Sequence, residues 1–317
     1  MTHASSASGT GQIHVGISGW RYEGWRGTFY PPKWPQKNEL DFASRAVETI
    51  EINGTHYSLQ TPASFMSWYA QTPPHFVFSV KGARYLTHML RFRDETATVA
   101  CANFFAQGVL ALNEKLGPFL WQFPPNYSFD AERLERFLAL LPKHGDAALA
   151  LAEGHDARVK APFLRFDATR PLRHAIEVRH ASFRDPAFIE LLRRYGVALV
   201  TSHSTEPWPY AEDVTADFAY FRLHGSTEKY GGAYEDSALD AWAKRLLAWS
   251  RGKAPAKKDL MAPEIAQSRP AARDVFCYFD NDKKTEAPYD ARRLMTRLGK
   301  TPPPLPADAS DLAARKG

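Results

Sequence analysis

Very little sulfur chemistry is open to this chain. Its 317 residues include two cysteines, Cys101 and Cys277, and they form no CxxC pair, which argues against a zinc ribbon or a thiol redox motif. Long apolar runs are missing as well. No stretch approaches the roughly 20 residues that span a bilayer, so no membrane partner is expected. The opening MTHASSASGTGQ lacks both the basic start and the apolar core of a signal peptide. Residues 1–11 therefore read as a flexible tail, and the cytoplasm is the expected location. No GxGxxG follows the first apolar run, where GISGWRYEGW stands instead, and this counts against a doubly wound dinucleotide-binding sheet. Neither HxH nor HExxH occurs. Charge is nearly balanced: 40 Lys and Arg against 35 Asp and Glu leave +5. That excess, with a pI near 9.1, is mild evidence for an anionic partner, a phosphate or a nucleic acid.

What the chain does have is a count. Eight short apolar runs, at 13–17, 49–52, 76–80, 119–122, 174–178, 198–201, 218–223 and 275–279, each lead into a polar tip. Runs this short and this apolar read as buried parallel strands. Helix-like segments separate most of them, the pattern of an α/β chain folded as a single (β/α)8 TIM barrel. Such a barrel takes roughly 250 residues, so one domain over 12–300 accounts for the chain. The proline-rich, polar end at 301–317 is expected to be a disordered tail.

Local signals place several helices. Thr61-Pro62 opens one that Pro73-Pro74 closes, and Asp130 opens one with Leu134, Phe137, Leu138 and Leu141 on a single face. Asp185-Pro186 opens another, ended by Gly196. Ser237 is expected to cap a helix carrying Leu239, Trp242, Leu246 and Leu247. The longest helix is expected over 94–116, and periodicity is weakest over 145–170.

In barrels of this type the chemistry sits on the loops that follow the strands. Placing each polar residue on its strand makes a ring: Ser18 and Trp20; Glu51, Asn53 and His56; Lys81, Arg84 and His88; Gln122; Glu177, Arg179 and His180; Ser202 and His203; Arg222 and His224; Asp280 and Asn281. In AIEVRH, period-2 alternation turns Glu177 and Arg179 to one side and Val178 to the other. A carboxylate flanked by cations there suits a metal ligand, a general base or a structural ion pair. Glu48 and Glu51 fall on opposite faces, and Glu51 is expected to face the axis. His180, His203 and His224 could join Glu51, Glu177 and Asp280 around a divalent metal. Lys81, Arg84, Arg179 and Arg222 point to an anion such as phosphate or carboxylate, unless each neutralises a carboxylate of the ring. The aromatic segment Trp20, Tyr22, Trp25, Phe29, Tyr30 and Trp34 either stacks a sugar or base or plugs the rim. GSTEKYGGAYED reads as a mobile loop over the site, with Tyr230 and Tyr234 flanking its glycine pair.

The stretches VGISGWRYEGWRGTFYPP, TIEINGTHYSLQTPASFMSWYAQTPPHFVFSVKG, YLTH, KLGPFLWQFPPNY, HAIEVRHASF, TADFAYFRLHG, YGGAY and CYFDND together resemble the YecE-like family, a domain of unknown function numbered 72. The resemblance runs from near residue 13 to near residue 298 and implies a TIM barrel. By motif position it implies rim roles for Trp20, Glu51, Asn53, Lys81, His88, Gln122, Glu177, Arg179, His180, Arg222, His224 and Asn281. Three positions depart from the pattern: Phe183 where tryptophan is common, His56 where an apolar or aromatic residue is usual, and His203 in place of an aspartate. No reaction comes with the family.

These readings converge on an enzyme, a hydrolase or lyase with or without a metal, acting on a phosphate-bearing or sugar-like anion at the barrel mouth. Glu51, Glu177, His180 and His224 would be catalytic. Trp20, Asn53, Lys81, His88, Gln122, Arg179, Arg222 and Asn281 would bind the substrate. The alternatives are a non-catalytic nucleic-acid or nucleotide binder and a scaffold whose rim charges are structural. Oligomeric state leaves no signal in the sequence.

Overall fold

Alternation of short buried strands with helices closes on itself. In the computed structural model, which describes residues 9–92, 96–265 and 271–306, eight parallel strands pair in chain order into a closed barrel. They are β1 (Ile13–Ser18), β2 (Thr49–Ile52), β3 (Val77–Lys81), β4 (Leu116–Gln122), β5 (His174–Glu177), β6 (Ala198–His203), β7 (Phe218–Leu223) and β8 (Asp274–Phe279). Closure is made where Ile13 of β1 pairs with Val275 of β8. The apolar runs at 49–52 and 218–223 coincide with β2 and β7, and the others differ by one to three residues at an end.

Around the barrel lie α1 (Glu39–Ala46), α2 (Gly54–Tyr57), α3 (Pro62–Gln71), α4 (Thr96–Ala106), α5 (Ala131–Leu140), α6 (Gly145–Glu153), α7 (Pro186–Tyr195), α8 (Asp236–Ser250) and α9 (Glu286–Arg297). Thr61 caps α3 by accepting from Ser64 N, Asp130 caps α5 by accepting from Arg133 N, and Asp185 caps α7 by accepting from Ala187 N. Each satisfies a backbone donor that the first helical turn leaves free. Gly196 ends α7 at φ 65°. None of the described helices is long and apolar enough to cross a membrane.

Two helix expectations need correction. The single helix over 94–116 is instead α4, then a 3-10 segment Val109–Lys115, then the start of β4. Gly108, at φ 117°, breaks it, and the break was hidden because this segment is apolar all round. Positions 94 and 95 lie outside the described residues. Ser237 is not the cap of α8, because the helix already begins at Asp236 with Glu235 at the cap position. The weakly periodic region 145–170 holds α6, whose Ala148 and Ala152 are buried. Of the C-terminal tail, 301–306 is described: Pro306 is buried and the Pro303 carbonyl accepts from Arg292.

The barrel interior is narrow and filled. Leu120, Ala175, Ala198, Val200, Phe218, Tyr220, Phe276 and Tyr278 form its apolar layers, as packed barrels of this size require. Gly16 stands in register with Thr49 and Tyr278, and the Thr49 and Tyr278 hydroxyls meet at 2.9 Å across it. A Cβ at Gly16 would sit 1.8 Å from the Thr49 carbonyl oxygen. Gly16→Ala is therefore expected to cost about 2–3 kcal/mol by prising β1 from β2, read as a lower urea midpoint. An unchanged midpoint would show that the two strands can separate freely at this point.

Candidate functional site at the barrel mouth

Inward alternation places acids, an arginine and hydroxyls at the ends of strands on opposite sides of the barrel. Arg222 of β7 is their centre. Its Nε and Nη2 donate to the two Glu51 oxygens at 3.1 and 2.8 Å, and its Nη1 donates to Glu177 Oε2 at 2.8 Å. Nη2 also reaches Ser18 Oγ at 3.0 Å and Asp280 Oδ2 at 2.9 Å. The planar fork suits paired carboxylates as no ammonium could. Glu51 accepts further bonds from Ser18 Oγ at 2.5 Å and Tyr220 Oη at 2.7 Å. Glu177 Oε1 accepts from Arg179 Nη2 at 3.2 Å and Ser202 Oγ at 3.3 Å, and lies 2.9 Å from His224 Nε2. His224 Nδ1 lies 2.9 Å from Asp280 Oδ2. Glu51, Glu177, Arg222 and His224 are all fully buried.

The electrostatics follow from this packing. Burial pushes the Glu177 carboxyl up, but Arg179, Arg222 and His224 overcome it and hold the group well below the usual carboxylate range. Burial likewise raises Asp280, and Arg222 and His224 bring it below its ordinary value. Arg222 is pushed up, its loss of water being outweighed by Asp280, Glu51 and Glu177. Glu177 is thus an ionised anchor with its oxygens committed. His224 has both ring nitrogens turned to carboxylates. Beside this platform burial and Asp280 raise Asp282 to about 6.

The rim above is different. Lys81, the last residue of β3, follows the inward positions Val77 and Ser79 and is 9% exposed. Among the described residues its ammonium has no hydrogen-bond or ion-pair partner, and its electrostatic neighbours are Arg222, Glu51, Asp280 and Arg179. Burial, then Arg222, lowers it to about 8. His56 and His88 stand nearby with rings 5.1 Å apart. Burial and Lys81 hold them down to about 3 and about 4. Arg179 stacks on Trp208 at 3.8 Å and donates to Tyr230 Oη at 3.1 Å, so Tyr230 and Trp208 wall the mouth.

Several residues expected at the rim are engaged by other partners or line a second cleft. Trp20 packs edge-on to Trp68 beside a separate cleft of about 390 Å³ that Arg21 and Lys37 also line. His180 turns to Ser182 Oγ at 2.7 Å and caps a short 3-10 turn. Asn281 is buried and ties the Gly232 carbonyl to Asp290 of α9. Gln122 is buried in register with Glu177, and its amide donates to the Phe123 carbonyl. Asn53 does reach the platform, donating to Ser18 Oγ at 3.1 Å. Arg222 faces the carboxylates below rather than an open mouth.

The metal arrangement is corrected in the same way. His203 bonds Tyr234 Oη at 2.8 Å, His180 faces Ser182, and no group of three or more His, Cys, Asp or Glu side chains among the described residues is arranged so that it could hold a metal ion. Arg222 occupies the space between the acids that would have ligated an ion. The aromatic segment plugs the rim: Phe29 and Tyr30 are buried against Phe42 of α1, Trp25 is buried against Phe29 and Tyr30, and Trp25 Nε1 donates to the Asp282 carbonyl. In the glycine-pair loop Tyr230 faces the mouth while Tyr234 is buried behind it. Tyr220 and Trp208 were missed. Tyr220 was legible, two residues before Arg222 on the same strand face; Trp208 sits in an irregular loop with no periodic signal.

The model of a family described as "Protein of unknown function DUF72" matches residues 14–311. The chain belongs to the DUF72 family. A curated relative, the UPF0759 protein YunF of Bacillus subtilis (strain 168), is 26% identical over 157 residues, which are 48% of this chain and 54% of the relative. The chain thus spans about half the length of that relative in the match. A crystal structure of the DUF72 family protein TM1631 from Thermotoga maritima MSB8 superposes with a TM-score of 0.67 at 24% identity, over 91% of this chain and 100% of that one. The DUF72 family protein EF0366 of Enterococcus faecalis V583 gives 0.64 at 15% identity, over 92% and 96%. At these identities the likeness concerns the DUF72 fold alone.

Proposed function

We propose that this DUF72 protein is an enzyme acting on a small anionic ligand, phosphate- or carboxylate-bearing, at the C-terminal mouth of the barrel. One observation carries the reading. The charges of the platform satisfy one another, whereas Lys81 above them is a nearly enclosed ammonium with no counterion among the described residues. A buried charge without a partner is costly, and an anion entering the mouth supplies one. Arg84, exposed on the loop after β3, and Arg179 stand on the same side. Beneath, Glu51, Glu177, Arg222, His224 and Asp280 form a fixed field that needs no rearrangement when charge shifts in the ligand, the arrangement that favours catalysis over binding alone.

The test is thermal denaturation with phosphate, sulfate and citrate, each against chloride at matched ionic strength. A saturable rise of several degrees is expected for at least one anion, as linkage requires of a ligand that binds only the folded chain. In Lys81→Met, measured against its own baseline, the rise should vanish. If no anion exceeds chloride in the native protein, the reading fails. Turnover is then sought among phosphate esters and sugar acids with the anion that binds as competitor.

A further inference from the structure

Lys81 is a lysine where Arg84, Arg179 and Arg222 are arginines; Lys229, over the Trp208 and Tyr230 rings, is paired with Glu206 at 3.4 Å. The difference is chemical. An arginine stays charged under all ordinary conditions and grips carboxylates, whereas a lysine amine can lose its proton and act as a nucleophile. We propose that Lys81 is the nucleophile of a Schiff-base reaction, and that the anionic ligand of the mouth carries an aldehyde or ketone. The inference rests on the reading above and names its substrate class.

Three features of the structure support it. Lys81 stands at the C-terminal end of an inner strand, 9% exposed and without a hydrogen-bond partner among the described residues, so its nitrogen is free to meet a ligand. Its surroundings favour the neutral amine: burial and Arg222 lower it to about 8, while Glu51 and Asp280 act in the opposite sense. At pH 7.5 this makes its free-amine fraction on the order of 100-fold larger than that of an ordinary surface lysine. Lastly, two uncharged imidazoles lie alongside. His56 Nδ1 is engaged by the Gly82 carbonyl at 2.8 Å and His88 Nδ1 by Thr87 Oγ1 at 2.8 Å. The Nε2 atom of each has no hydrogen-bond partner among the described residues and is available to relay protons.

The step balances without a further reactant. The Lys81 Nζ lone pair adds to the carbonyl carbon, the C=O pair moves to oxygen, and that oxygen takes a proton. The carbinolamine then loses water as the C–O bond breaks and C=N forms. Counted from the ammonium, two hydrogens leave nitrogen with the carbonyl oxygen as water, and one positive charge remains on the protonated imine. Glu51 and Asp280 on the platform below stabilise that charge, and Arg179 or Arg84 takes the ligand's anionic group.

The experiment treats the full chain with glyoxylate, pyruvate or glyceraldehyde 3-phosphate and sodium cyanoborohydride at pH 7.5. Intact mass counts adducts and peptide mass locates them. One adduct per chain is expected, at Lys81, formed at least about 10-fold faster than at any surface lysine. Phosphate should compete, and Lys81→Arg should abolish the adduct. If labelling spreads over surface lysines without preference for Lys81 while phosphate still raises the melting point, Lys81 is a counterion and this inference is overturned alone. If phosphate has no effect either, the anion-binding reading falls with it.

Discussion

Arg222→Met is expected to destabilise the folded chain by about 3–5 kcal/mol at pH 7, the cost of leaving buried carboxylates without their counterion. Glu51, Glu177 and Asp280 all lie within ion-pair distance of this one guanidinium. Its removal leaves Glu51 without an ion-pair partner among the described residues and takes one from Glu177 and from Asp280, and methionine fills the space without supplying a donor. The effect should depend on pH in a definite sense. In the native protein the Glu177 and Asp280 carboxyls lie below their ordinary values. Their stabilisation is therefore present above about pH 4, the unfolded value, and is lost as pH falls through the lower folded values. In the variant the same acids relieve their repulsion by taking up protons. The gap between the two proteins should then be widest at pH 7 and narrow towards pH 4, as read from urea midpoints. A triple variant that also carries Glu51→Gln and Glu177→Gln should recover most of the loss, since uncharged amides leave less charge unpaired. A single variant as stable as the native protein would show that the cluster is not held together by Arg222.

Lys81→Met should act in the opposite direction. A lysine lowered from 10.5 to about 8 makes the folded state pay roughly 3 kcal/mol at neutral pH to keep it protonated, at about 1.4 kcal/mol per pKa unit. The sign follows from the protons bound. Between pH 8 and 10.5 the unfolded chain holds the proton that the folded chain has released, so native stability rises with pH through that window. Below it the penalty is constant, and above it the penalty is gone. Lys81→Met should thus raise the urea-derived stability by a few kcal/mol at pH 7 and by almost nothing at pH 10.5. A side chain that costs stability in a position where methionine would pack is typical of functional sites. Should the variant prove less stable at pH 7, the ammonium is well paired in solution and both proposals for it lose their basis.

These two residues illustrate what the sequence could and could not say of the site. Both were legible as polar ends of apolar strands, as were Glu51, Glu177, His224 and Asp280, because an inward residue at a strand's C-terminal end has one place to go in a closed barrel. Their roles were not legible. Arg222 and Lys81 looked like equivalent cations, and nothing in the letters separates a guanidinium enclosed by three acids from an amine that pairs with none among the described residues. The outliers have the same origin. Trp20, His180 and Asn281 lie just beyond strand ends, where period-2 alternation stops and the local turn decides direction. His180 capped a 3-10 turn, and Asn281 was captured by Asp290 from α9, a partner nine residues on that only the folded helix brings near.

The barrel itself was determined by the sequence. Eight short runs, buried on both faces and separated by capped amphipathic segments, leave few ways to hide their apolar surface, and closing the sheet is one that leaves no edge exposed. Those are local patterns, readable one window at a time. What the tertiary structure alone decided was which charges meet. The Arg222 contacts to Glu51, Glu177 and Asp280 join residues separated by 171, 45 and 58 positions, brought together by the curvature of the sheet. An ion pair across a barrel has no period in the chain, so the division between a self-satisfied platform and one unpaired lysine emerges only when the last strand pairs with the first.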